Sequence, residues 1–245
     1  MKIGLVCPYI YPDGGGVAQH VGYLYENLRL RGHDVRIITA SHGPQRSSEG
    51  DVIRLGVGFD PKLFTLPDMG PSPVKSDRPI AVIRPVTLRT EWCNPARNPK
   101  PEYIYALAEE LMATHTVVAV ASLAEGQEWA VGNLPPAHHH FLHGELPIRE
   151  LLALVRDADI AVGGVGWIVP ASLALKSRLF VVLGGHGGHN APEKITDPRL
   201  DLSRIGFAMP EDYCRCTHMP HKCEKTIVDP VGQFTHWYRS SRLAA

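Results

Sequence analysis

The sequence has no excess of either charge. Its 245 residues carry 25 basic and 25 acidic side chains, whereas general binding to nucleic-acid phosphates needs a basic surplus. It also lacks any apolar run near the ~18 to 20 residues of a membrane-spanning helix. Residues 1–16 hold a single lysine, turn Gly-rich early and show no small-residue cleavage site, so they read as a first β-strand and not as a secretory signal. Cysteine is scarce and odd in number, five in all with three inside ten residues, which does not make a secreted disulfide framework. A cytoplasmic globular protein is the expectation. The common catalytic signatures are missing too: there is no GxSxG elbow, no HExxH pair and no Walker loop. Nor is there a GxGxxG turn with an acidic residue ~20 positions on, which disfavours a dehydrogenase.

What is present alternates. Residues 3–7 form a short apolar run suited to a buried parallel strand. Residues 8–16 are turn chemistry, and Val17, Val21, Leu24 and Leu28 then recur at helical spacing. Gly32 stands where a left-handed C-cap is expected, with strands at 35–39 and 52–55 after it. Residues 57–77 are proline-rich and without period, and are read as a linker. Beyond them the spacing predicts strands at 80–84, 116–121, 138–142, 160–162 and 179–183. It predicts helices from Pro101 (Ile104, Leu107, Ala108 and Leu111 inward), over 124–131, from Pro147 (Ile148, Leu151, Leu152 and Val155 inward) and over 168–175. The expected fold is α/β, a Rossmann-like doubly wound parallel sheet over 78–230, preceded by a partial β-α-β unit over 1–56 and followed by a tail over 231–245. One β-α-β unit is too small to bury a core alone, so it must cover another surface, and self-association into a homo-oligomer is one way to do so.

Three glycine-rich turns follow strands, where ligands of open α/β sheets bind. The first is Asp13-Gly14-Gly15-Gly16, which would bring backbone N–H groups and a helix N-terminus to an anion. His20 sits in the next helical turn, either as a surface residue or as a polar group facing a cleft. The second turn is Gly163-Gly164-Val165-Gly166-Trp167. The third runs from Gly184 through Gly187 and Gly188 to Glu193 and Lys194. Neighbouring turns of this kind would line a nucleotide-diphosphate pocket, with Arg84, Arg89 or Lys194 neutralising phosphate and Glu193 accepting ribose hydroxyls. The plainer alternative is that these glycines only allow close strand–helix packing. Near the C-terminus Cys214, Cys216, His218, His221 and Cys223 offer three thiols and two imidazoles in ten residues. They suit a structural zinc site centred on Cys214, Cys216, His218 and Cys223, or else a plain thiol cluster or a disulfide.

The residues from 1 to about 55 resemble the opening of GT-B glycosyltransferases of the retaining group that includes the phosphatidylinositol mannosyltransferases. The likeness rests on Gly15, Gly16, Val17, His20, Val21, Arg31, Gly32, His33, Asp34 and Val35. Residues 78–195 are similar in layout to the nucleotide-sugar-binding half of heptosyltransferase-type GT-B enzymes, with 143–195 carrying most of the match. Two departures are plain. The family's Asp-Ser/Thr-Gly-Pro-x-His turn is here Gly164-Val165-Gly166-Trp167-Ile168-Val169, and the retaining group's Glu-x7-Glu motif is missing. The resemblance therefore fixes neither sugar nor stereochemistry, and it implies a shortened N-terminal domain.

What it does imply is transfer of a sugar from a nucleotide-sugar donor to an acceptor of unknown class. Gly15 and Gly16 would lie near the diphosphate, His20 would be the polar group closest to the reacting centre, and no cofactor would be required for catalysis. The alternative is a non-catalytic nucleotide or nucleotide-sugar binding module. A third reading, a nucleotide-sugar epimerase, shares the sheet type, and fold alone does not choose among them.

Overall fold

The computed structural model describes residues 1–7, 16–39, 51–54, 68–91 and 93–243. The chain divides into two compact units, Met1–Leu63 and Phe64–Ala245.

Unit 1 is a three-stranded parallel sheet with one helix. β1 (Lys2–Cys7), β2 (Asp34–Thr39) and β3 (Val52–Arg54) lie in that order, with Ile3 opposite Val35 and Ile37 opposite Val52. α1 (Gly16–Leu30) ends at Gly32, whose φ of 79° supplies the left-handed cap expected there. Its inward face is Val21 and Tyr25 against Leu5, Cys7, Ile37 and Val52, while Leu24, expected inward, is exposed.

Unit 2 is built on six parallel strands. β4 (Ile80–Ile83) and β6 (Thr116–Val120) read IAVI and TVVAV, buried at every position and apolar at all but Thr116, because helices cover both faces. β8 (His139–Phe141) lies outside β6. On the other side of β4 come β9 (Ile160–Gly163), β10 (Leu179–Val182) and β11 (Ile205–Ala208). The order β8-β6-β4-β9-β10-β11 is the doubly wound arrangement, and it reverses between β4 and β9. One face carries α2 (Pro101–Met112) and α7 (Pro230–Leu243), with Ile104, Leu107 and Phe234 over Ile83, Val117 and Phe180. The other carries α3 (Ile148–Asp157) and α4 (Ile168–Leu175), with Leu154, Val155 and Ile168 over Val82, Val118 and Val181.

Several sequence expectations are corrected. The helix expected over 124–131 is instead β7 (Glu128–Ala130), antiparallel to β5 (Thr87–Arg89), with Arg89 opposite Glu128. Gly126, at φ 70°, makes the turn that a helix there would forbid. In α3 the buried residues are Ala153, Leu154 and Val155; Ile148, at the first position after Pro147, is 76% exposed. The expected tail is α7, held by Phe234 edge-on to Phe180 and by Trp237 on the same ring. β11 had no forecast. Short α5 (Gly187–Asn190) and α6 (Pro192–Ile195) follow β10. Among the described residues no helix is long and apolar enough to cross a membrane.

Candidate functional site

The reversal of strand order leaves a crevice at the carboxyl ends of β4 and β9, and the chain leaving β4 fills it with Arg84. The Arg84 N–H donates to the Val162 carbonyl at 2.8 Å, extending the β4–β9 ladder by one residue and fixing where the side chain starts. That side chain then runs across the turn after β9. A Cβ on Gly163 would come 3.1 Å from the Arg84 Cβ, and one on Gly166 3.2 Å from its Nη1. These two glycines therefore make room for a guanidinium. Gly164, between them, is closed in by Pro99.

Arg84 donates to the Thr87 hydroxyl at 3.3 Å and stands 3.8 Å from Glu128 Oε1, while Arg89 Nε is 3.2 Å from Glu128 Oε2. The hairpin register that sets Arg89 opposite Glu128 creates this pairing, and Glu128 is almost wholly buried beneath the two arginines. Burial holds Arg84 below its ordinary pKa, with Glu128 opposing that shift.

Beside them is a cavity of about 330 Å³, lined by Arg84, Arg89, Ser122, Glu128, Glu145 and Trp167, with Phe141, Leu146, Ile148 and Leu151 forming its apolar part. Burial pushes the Glu145 carboxyl up, but backbone N–H groups of Glu145, His143 and Leu142 outweigh it and keep the group below its ordinary value. Formal charge in the lining balances, two arginines against two glutamates. The helices tip the balance toward anions. Ile148 opens α3 and Trp167 is the N-cap of α4, so positive dipole ends lie at the cavity; α3 has no side-chain cap, whereas in α4 the Val169 N–H already donates to the Gly166 carbonyl and Pro170 has none to offer. Ser122, Glu128 and Glu145 were not singled out by sequence reasoning. Glu145 stands two residues before the Pro147 helix start, the one local signal that could have marked it.

The third glycine turn behaves differently. Gly187 N–H donates to the Cys214 carbonyl at 2.8 Å and Gly188 N–H to the Cys216 carbonyl at 3.1 Å, so neither amide is left for a phosphate. Glu193 is exposed and ion-paired with Arg215, and Lys194 is exposed beside it on α6; neither lines the cavity. The segment around Cys214 thus occupies the turn in which Gly187, Gly188, Glu193 and Lys194 were expected to bind donor. Of the first turn, Gly14 and Gly15 lie outside the described residues, Gly16 opens α1 and His20 is exposed on it.

The cysteine segment forms a second constellation. Cys214, Cys216, His221 and Cys223 bring their ligand atoms within 4.8 Å of one another, close enough to hold a metal ion. His218, expected as the imidazole, is replaced by His221. The His221 N–H donates to the His218 carbonyl at 3.2 Å, and that turn carries the later ring back onto the thiols, while His218 offers Cys216 only its carbonyl.

No protein-family model and no curated protein sequence matches the chain. Solved structures do resemble it. The dodecameric iron-containing heptosyltransferase TibC, in complex with ADP-D-beta-D-heptose, aligns with a TM-score of 0.50 at 13% identity over 98% of this chain and 76% of that one. TibC from enterotoxigenic E. coli H10407 gives 0.49 at 11% identity over 99% and 79%. The E. coli ADP-heptose lps heptosyltransferase II gives 0.47 at 11% identity over 99% and 100%. At such identity the likeness is one of fold, a GT-B-like α/β architecture. The expected likeness of the first 55 residues to phosphatidylinositol mannosyltransferases is not shown by these comparisons.

Proposed function

We propose that the protein is a glycosyltransferase that moves a sugar from a nucleotide-sugar donor to an acceptor, and that the cavity of unit 2 receives the donor. The observation that carries this reading is the cavity's position at the β4–β9 switch point, with Arg84 and the uncapped N-terminus of α3 converging on it. In an open parallel sheet that is where a nucleotide's phosphates are held. The heptosyltransferase likeness of fold adds the nucleotide-sugar class to the proposal.

Each lining group then has a task. When the glycosidic bond breaks, negative charge grows on the departing diphosphate, and Arg84, fixed in a buried setting, stabilises it. Glu128 holds Arg84 and Arg89 in place without cancelling both. Glu145, kept ionised by backbone amides, and Ser122 accept and donate hydrogen bonds to sugar or ribose hydroxyls. Trp167, Phe141 and Leu146 supply apolar area for the ring faces. None of Cys214, Cys216, His221 or Cys223 lines the cavity, so a metal held there would act outside the transfer step.

The test is a thermal-shift screen of the full chain against nucleoside diphosphates and nucleotide sugars. It is followed by detection of released nucleoside diphosphate with an acceptor panel. At a hundredfold excess over Kd a ligand of the folded state adds about 2.7 kcal/mol. A base-selective shift with turnover supports transfer. A shift without turnover on any acceptor supports the non-catalytic binding module instead, a reading favoured by the replacement of the family's Asp and His turn residues by Gly164-Val165-Gly166 and its sequel. No shift overturns both.

A further inference from the structure

Residues 209–228 run for twenty positions without a helix or strand, yet they cover the turn after β10. A structureless crossing of that length is unusual inside a compact unit and calls for something to pin it. Its hydrogen bonds to the body include Lys225 to the Pro95 carbonyl, Lys100 to Thr226, the Ile227 N–H to Tyr103, Arg215 to Glu193, Gln233 to the Val228 carbonyl, and the two glycine amides at its start.

At its centre the side chains converge. Cys216 Sγ and Cys223 Sγ are 3.5 Å apart, His221 Nδ1 is 3.3 Å from Cys223 Sγ, and Cys214 Sγ is 3.5 Å from the same nitrogen. A tetrahedron with metal–sulfur bonds of about 2.3 Å and a metal–nitrogen bond of about 2.0 Å has edges of about 3.5 to 3.8 Å. The three separations above stand near those edges, and all four atoms lie within 4.8 Å of one another.

We propose that Cys214, Cys216, His221 and Cys223 hold one thiophilic divalent cation, zinc or ferrous iron, which clasps the 209–228 segment onto the turn after β10. Three soft sulfurs and one imidazole select such an ion over magnesium or calcium. Four protein ligands close the coordination sphere, the pattern of a structural site. The turn is shaped to the cluster as well. A Cβ on Gly185 would collide with Cys223, and one on Gly188 would lie 2.9 Å from the Cys216 carbonyl. That fit explains why glycines stand in the third turn without binding phosphate. His186, with φ 58°, is held there by Asn94 and Asn190, so the clasp reaches the loop after β5.

This inference is independent of the transfer reading, and its test uses no turnover. Full chain purified from cells supplied with zinc and iron is analysed for metal after gel filtration. One ion per chain is expected, and its identity separates zinc from iron. Chelator-stripped chain titrated with Co2+ should develop a tetrahedral cobalt spectrum with a thiolate charge-transfer band, and the Tm lost on stripping should return. His221→Ala should bind Co2+ about tenfold or more weakly, His218→Ala as the parent does, and His221→Cys should keep the ion with a shifted spectrum. If cysteine variants fail to fold, the histidine variants and the parent spectrum still decide. A cooperatively melting chain with no stoichiometric metal and no cobalt spectrum overturns the proposal. So does a Cys216–Cys223 disulfide found in the folded chain by mass spectrometry, or His218→Ala abolishing binding where His221→Ala does not.

Discussion

The Arg84 guanidinium lies over Gly166 so closely that a Cβ there would stand 3.2 Å from Nη1. That distance forces the neighbour to give by a few tenths of an ångström, which an arginine end can do only by leaving its position over the cavity. Gly166→Ala is therefore expected to weaken nucleoside-diphosphate binding severalfold while lowering Tm little. Arg84→Ala removes a charge-assisted interaction of about 1.5 to 3 kcal/mol, a loss of roughly tenfold to a hundredfold in affinity. Isothermal titration with the diphosphate identified by the thermal screen checks both. Equal binding by Arg84→Ala and the parent would remove the cavity from the reaction.

Glu128 stabilises the fold and restrains the site at once. Its carboxylate is buried between Arg84 and Arg89. Glu128→Gln leaves the buried Arg84 charge without its counter-ion, and removing one partner of such a pair costs about 3 kcal/mol. The same change leaves two cationic residues and one acid in the cavity lining, so anion affinity should hold or rise even as the urea midpoint falls. Paired urea melts and anion titrations test this. A parallel fall of both would mean that Glu128 positions Arg84 more than it opposes it.

Much of the sheet was legible because strands buried on both faces write themselves as unbroken apolar runs, as in residues 80–83, 117–120 and 179–182. Helix α2 was legible from Pro101 and the spacing of Ile104, Leu107, Ala108 and Leu111, all of which are buried. The hairpin of β5 and β7 was not, because three-residue strands carry no period and Gly126 alone marks its turn. Ala124, Trp129, Ala130 and Val131 look as helical as they do extended. The site was half legible. A glycine-rich turn announces closeness but not what comes close: after β9 it is an arginine from the adjacent strand, after β10 a cysteine loop thirty residues away. Glu145 and Ser122 reach the cavity through the register of β6 and its neighbours, which no local pattern encodes.

The amino end of the sheet carries a buried polar knot whose acid response has a definite sign. Asp159 accepts from His115 and Tyr238 and pairs with Arg178 at 3.0 Å. The His115 bond is the largest cause that lowers its pKa, to about 2, with burial opposing and Tyr238, Arg242 and Arg178 adding to the fall. A depressed carboxyl pKa contributes stability that is complete above the unfolded value of about 3.9 and is lost as pH falls through about 2. Because the carboxyl is partly exposed, at 18% of its side-chain surface, the contribution is about 1 kcal/mol and not the full linkage value. Asp159→Asn should therefore lower stability at pH 7 and flatten its loss between pH 4 and 2. Chemical melts across that range decide it; a variant that loses stability as steeply as the parent would place the acid-sensitive group elsewhere.

Helix α7 seals one face of the six-stranded sheet, and Phe234 is its deepest residue, 2% exposed. Its ring meets Phe180 of β10 edge-on at 5.2 Å and stacks on Tyr238 at 5.3 Å, and Tyr238 in turn donates to Asp159. Truncation to alanine leaves a cavity in a close-packed layer and costs about 3 to 5 kcal/mol. The loss should also loosen Tyr238, so Phe234→Ala and Asp159→Asn share a partner and ought not to add. A double-mutant cycle measures this: the doubly substituted chain should be less destabilised than the sum by about 0.5 kcal/mol or more. Strict additivity would mean that α7 and the Asp159 knot hold the sheet independently, and that the helix is fixed by its apolar face alone.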